Sequence, residues 1–174
     1  MIVGGAILSA RYNHSSMPHW TDRLGITRAT VIYSARVTVA AVASMVLARV
    51  LKLPEFYWAP ISAIVIICST IDPLAMAWQR FVGTALGAVV AALMATFLPT
   101  NWIVYSVGIF ICGILSALLR IGTAYRFAAI TLSIVLLIAH VAPAWMVALH
   151  RFVEVSLGIA VALVVTVLWK APAA

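Results

Sequence analysis

Five or six long apolar runs, four of them carrying an arginine near one end, constrain this chain more than any other feature. The plainest run, Phe81 to Leu98, contains no ionisable residue. About 18 or more such residues span the hydrocarbon of a bilayer as a helix. Arginine is disfavoured at that depth, so each one near a span calls for a partner, a wet cavity or a substrate. Of 174 residues, 66% are hydrophobic and 9% charged, against roughly 25% charged in a soluble domain. A soluble core cannot absorb this much apolar surface. The expected class is therefore an all-α polytopic membrane protein, with the lipid bilayer as its first partner.

The net charge is +7. Because the basic residues lie beside apolar runs, the preference of Lys and Arg for cytoplasmic loops explains the excess better than a nucleic acid partner does. Residues 1–24 read as a cytoplasmic tail, with Arg11, His14 and His19 in its polar part, and residues 25–170 as a six-helix transmembrane domain. Residues 1–9 are apolar but too short to span, and no basic residue precedes them, which argues against a secretory signal. The six helices are expected over about Thr27 to Leu51, Phe56 to Thr70, Leu74 to Leu98, Trp102 to Ile121, Ala124 to Val141 and Ala144 to Trp169. Their breaks fall at Lys52-Leu53-Pro54-Glu55, Asp72-Pro73, Pro99-Thr100-Asn101, Gly122 and Ala142-Pro143. With the N-terminus inside, Arg11, Arg23, Arg28, Arg80, Arg120, Arg126 and Lys170 fall on the cytoplasmic side and Arg49, Lys52 and Arg151 outside. The bias places both termini in the cytoplasm.

A weak repeat appears at a shift of 71: Arg80-Phe81-Val82 returns as Arg151-Phe152-Val153, Leu86-Gly87 as Leu157-Gly158, and Ser62 as Ser133. A unit of three helices inverts the second copy, so an inverted three-plus-three repeat is expected. Chance identity in helices rich in Ala, Val and Leu competes with that reading. Small residues recur every fourth position: Gly83, Gly87, Ala91 and Ala95; Gly108, Cys112 and Ser116; Gly158, Ala162 and Thr166; Ala40, Ser44 and Ala48. That spacing keeps them on one face, where backbones approach closely, and tight packing accounts for them. Arg36, Arg80, Arg120 and Glu154 stand three or four residues from these stripes. The charges therefore tend to lie on packed faces, although snorkelling to headgroups competes for any single arginine.

Glu154 is the only acidic residue within an expected span. It pairs with Arg151 one turn earlier, or serves as a titratable carboxylate coupling transport to protons. Cys68 and Cys112 read as small buried side chains without metal-ligand neighbours. Tyr57, Trp58, Trp102, Tyr105, Trp145 and Trp169 fit an aromatic belt. No HExxH, GxSxG, phosphate-loop or dinucleotide pattern is present, so neither an enzyme nor a cofactor is expected.

Leu53-Pro54-Glu55-Phe56-Tyr57-Trp58-Ala59 and Arg80-Phe81-Val82-Gly83-Thr84-Ala85-Leu86-Gly87 together resemble the fusaric acid resistance and aromatic acid exporter family, which is related to the plant aluminium-activated malate transporters. Arg151-Phe152-Val153-Glu154 with Gly158 resembles that family's sixth helix. The resemblance covers about Arg23 to Trp169. It implies a six-helix bundle that moves organic anions, often aromatic carboxylates, across a bacterial inner membrane. Arg80 would hold substrate charge, and Tyr57 and Trp58 would line or brace the path; apart from the resemblance, Arg36, Arg126, Arg151 and Thr84 are further candidates for it. The long exporters carry two bundles and soluble parts, whereas one bundle is seen here, so a homo-oligomer, a dimer above all, is expected. A passive anion channel at an oligomer axis and a non-transporting scaffold are the competing functions.

Overall fold

The computed structural model describes residues 28–138 and 143–169. The expected tail, His140 and Lys170 lie outside the described residues. Six α-helices follow in order: α1 (Arg28–Val50), α2 (Trp58–Ile67), α3 (Pro73–Phe97), α4 (Trp102–Leu118), α5 (Tyr125–Ile138) and α6 (Ala144–Leu168), with a 3₁₀ turn at Gly122–Ala124 before α5. No strand occurs among the described residues. α1, α3 and α6 are long and apolar enough to cross a membrane, while the other helices are shorter but equally apolar. α2 has 10 residues and rises only ~15 Å, about half a bilayer.

Local chemistry sets the helix ends. Asp72 caps α3, its carboxylate accepting from Leu74 N at 3.0 Å and Ala75 N at 3.0 Å, and Pro73 fills the first turn where no amide donor is needed. Asn101 caps α4 through Val104 N at 2.9 Å. The end of α4 differs from expectation. The residue in the left-handed region is Arg120 (φ 56°), not Gly122. Ile121 N donates to Ser116 O and Arg120 N to Ala117 O, the paired bonds of a Schellman end. α1 ends the same way: Lys52 has φ 55°, with Leu53 N bonded to Ala48 O and Lys52 N to Arg49 O.

Small residues decide how the helices meet. A Cβ at Gly87 would strike the Ala128 backbone oxygen, and one at Gly83 the Ala124 oxygen, so α3 and α5 run parallel and nearly touch. A Cβ at Gly158 would strike the Ala59 oxygen, which brings α6 equally close to α2, also parallel. α3 and α6 cross antiparallel, with the Phe81 and Phe152 rings 5.0 Å apart. α1 packs on α2 and α6, and α4 packs on α3 and α5. α1 buries Ala40, Ser44 and Ala48, and α4 buries Gly108, Cys112 and Ser116. Gly108 faces the flexible tips of Leu132 and Met94. α2 and α5 do not pack on each other; they face each other across a crevice floored by α3 and α6.

Candidate anion site

The crevice is a cavity of about 220 Å³. α2 contributes Trp58, Ile61 and Val65; α5 contributes Phe127, Ile130 and Thr131; α3 contributes Arg80 and Thr84; α6 contributes Arg151 and Val155. These spacings put one face of each helix on the cavity. Arg80, Thr84 and Arg151 are 8%, 2% and 2% exposed, so both arginines are held inside the bundle. Drug-sized ligands occupy roughly 300–1,000 Å³, so this space suits something smaller.

The two arginines are held in similar ways. Arg80 Nη2 donates to Ser62 Oγ at 3.0 Å, and its guanidinium lies over the Phe127 ring at 5.0 Å. Arg151 lies over the Trp58 ring at 3.0 Å. Its acidic partner is Glu55, with Nη1 3.8 Å from Oε2. This differs from the expected pairing with Glu154. The reason is that Glu154 is fully buried at the crossing of α6 and α2, where its Oε1 accepts from the Glu55 backbone N at 2.8 Å. Glu55 also accepts from Trp58 Nε1 at 2.9 Å, which fixes the indole.

Arg80 Nε, Arg151 Nε and Nη1, and Glu154 Oε2 are buried and make no hydrogen bond within the described residues. A guanidinium offers five N–H donors in a planar fork that matches a carboxylate. Buried donors of this kind ordinarily have a partner. Arg80 and Arg151 both line the cavity among apolar and aromatic side chains, and Arg80 has no ion pair among the described residues. That arrangement can hold one small anion with an apolar body.

Arg126 lines a second cavity of about 420 Å³ with Cys68, Ser69, Thr70, Ile71 and Met76. Val65 and Phe127 line both cavities, so the two are neighbours. The Phe127 ring carries both the Arg80 and the Arg126 guanidinium, 5.0 and 4.7 Å from its centroid. Arg36 is half-buried on α1 and does not line the cavity. Tyr57 is 47% exposed and braces Trp58 from outside, ring centroids 5.3 Å apart. Gly83, Gly87 and Gly158 set the close crossings that carry Arg80, Thr84, Arg151 and Glu154. Cys68 is exposed in the second cavity and not buried, while Cys112 is buried; both are free thiols.

Sequence reasoning did not single out Phe127, Thr131, Ile61, Ile130 or Glu55 as site residues. Phe127 follows Arg126 directly, and Glu55 sits among helix-breaking residues, so neither stood out by type or spacing.

Residues 40–165 match the model of a family described as fusaric acid resistance protein-like. No curated protein and no solved structure matches.

Proposed function

Since the chain belongs to the fusaric acid resistance protein-like family, a family of membrane transporters, we propose that it is a permease for small organic anions, aromatic carboxylates among them. The single observation that supports this best is the pair of buried guanidinium groups, Arg80 and Arg151, with open donors in one aromatic-walled cavity. Arginine in place of lysine supplies a bidentate grip on a carboxylate. Trp58 and Phe127, whose rings already carry the arginines, supply apolar walls for the body of such an anion. The test is flux of labelled aromatic carboxylates in proteoliposomes. Saturable, uncoupler-sensitive uptake is expected. Non-saturating, purely potential-driven current indicates a channel, and a silent protein indicates a scaffold.

Glu154 would couple this flux to protons. It is fully buried, one oxygen lacks a hydrogen-bond partner among the described residues, and the charged groups beside it are Glu55 and Arg151. Replacing it with Gln keeps the acceptor oxygen for the Glu55 amide while removing the titratable group. Glu154→Gln is therefore expected to retain exchange of anion down its gradient but to lose accumulation driven by a pH gradient. Accumulation equal to the parent's would remove Glu154 from the coupling.

We also propose that both termini are cytoplasmic, from the Lys/Arg bias, and, from the resemblance to the long two-bundle exporters, that the protein lies in a bacterial inner membrane as a homodimer. Reporter fusions after Ala174 should be active in the cytoplasm and fusions at Thr100 outside it. A cytoplasmically silent C-terminal reporter, or a monomeric mass in nanodiscs, would overturn the corresponding part.

A further inference from the structure

Packing aligns the two halves of the chain more closely than sequence identity does. In α3 and α6 a shift of 71 carries Arg80 onto Arg151, Phe81 onto Phe152, Thr84 onto Val155 and Gly87 onto Gly158. In α2 and α5 the shift is 69: Trp58 onto Phe127, Ala59 onto Ala128, Ile61 onto Ile130, Ser62 onto Thr131. In α1 and α4 it is 68: the buried Ala40, Ser44 and Ala48 onto Gly108, Cys112 and Ser116, and the left-handed Lys52 onto Arg120. Ser62 thus corresponds to Thr131, not to Ser133, which instead meets Tyr105 Oη at 3.0 Å.

The same exchange preserves the contacts. Gly87 on Ala128 becomes Gly158 on Ala59. Arg80 over Phe127 becomes Arg151 over Trp58. Phe81 touches its own counterpart, Phe152, as residues on a two-fold axis do. Nine of the ten cavity-lining residues, all but Val65, belong to such pairs or to the Ser62–Thr131 pair.

The cavity therefore has two chemically similar ends. α2 and α5 run antiparallel, and Val65 together with Phe127 marks the end that adjoins the Arg126 cavity. Trp58 lies seven residues from Val65, about 10 Å along α2, at the other end. On the lateral side stand Ile61 and Ile130, 38% and 50% exposed, which offer an anion no donor. An anion's routes in and out consequently pass the two aromatic rings.

We propose that the bundle is an inverted three-plus-three repeat enclosing one anion chamber between two equivalent gates: Phe127 with Arg80 at one end, Trp58 with Arg151 at the other. This rests on the permease reading above. Each ring blocks one route, and the arginine stacked on it is the group that leaves the ring to take the anion. One difference between the halves bears directly on the gates. Glu55 and Glu154 correspond to Ala124 and Gly83. The Trp58 gate is therefore latched by a carboxylate hydrogen-bonded to its indole, and the Phe127 gate is not. The Phe127 gate opens first.

The experiment uses full-length protein with Cys68→Ser and Cys112→Ala and a reporter thiol at Thr84→Cys. The probe is an anionic, membrane-impermeant thiosulfonate, added separately to each side of oriented vesicles. In the parent, labelling is slow from either side. Phe127→Ala accelerates labelling only from the side of Arg126, and Trp58→Ala only from the opposite side. A closed gate whose open state is ~0.1–10% populated gives an acceleration of about tenfold or more. Phe127→Leu and Trp58→Phe, which keep an apolar filler, should show the same sidedness with smaller effect and provide the readout if either alanine variant fails to fold. Acceleration from the wrong side, from both sides, or from neither overturns the two gates. Labelling needs no transport, and flux is read in the parent with Thr84 and both cysteines intact: sided labelling with no anion flux in the parent removes the permease reading and leaves the gates, and flux without sided labelling does the reverse.

Discussion

Gly158→Val is expected to prevent the bundle from assembling. A Cβ at this position falls inside contact distance of the Ala59 carbonyl oxygen and also meets Ser62 Cβ at 2.7 Å. The obstacle is backbone, so no rotamer change relieves it, and α2 must leave α6. Overpacking typically costs ~1–3 kcal/mol, and a backbone obstacle places this variant at or above the top of that range. The same movement withdraws Glu154 from the Glu55 amide and Trp58 from Arg151. Gly113→Ala is the matched control. Its nearest neighbour would be Tyr125 Cε2 at 3.5 Å, an ordinary contact, and alanine gains up to ~1 kcal/mol of helix propensity. Thermal stability and monodisperse yield in mild detergent should collapse for Gly158→Val and hold or improve for Gly113→Ala. Equal behaviour of the two would contradict the close α2–α6 crossing.

Arg80→Lys is expected to fold and assemble normally but to transport organic anions poorly. The native side chain donates to Ser62 and lies over Phe127, contacts an ammonium on a flexible stem satisfies in part. It cannot reproduce the planar fork. Loss of a hydrogen bond to a charged group costs roughly 1.5–3 kcal/mol, about 10- to 150-fold in affinity. Flux at subsaturating substrate should fall by that factor, with expression and thermal stability near those of the parent. Flux equal to the parent's would make Arg80 a structural cation only.

The helical membrane class was legible because composition and run length leave no other way to satisfy the backbone. The breaks were legible because Asp72-Pro73, Asn101 and Pro143 act locally. The end of α4 was not, since Arg120 adopts a left-handed conformation that sequence assigns to glycine. The helix closes there by backbone bonds alone, Arg120 N to Ala117 O and Ile121 N to Ser116 O, which leave no side-chain signature. Arg80, Arg151, Trp58 and Thr84 were expected in one path and do line one cavity. Phe127 escaped notice because a lone aromatic in an apolar helix looks like core. It becomes informative only when α3 and α5 meet at Gly83 and Gly87. The Glu154–Arg151 pairing failed for a related reason. One-turn spacing permits the pair within α6, but the side chain is drawn to the free amide of Glu55, a residue 99 positions away that only folding brings near. The repeat proposed above is weak in sequence because the offset differs between helix pairs, 71 for α3 and α6, 69 for α2 and α5 and 68 for α1 and α4, so no single offset brings out all of it.

The central claim is that one small organic anion sits between Arg80 and Arg151. The most direct measurement is the anomalous-scattering map of crystals soaked with a brominated aromatic carboxylate. A bromine peak is expected inside the cavity bounded by Trp58 and Phe127, with the carboxylate on the guanidinium groups. A peak elsewhere, at an interface between copies or on the lipid face, with the cavity free of it, would contradict the account.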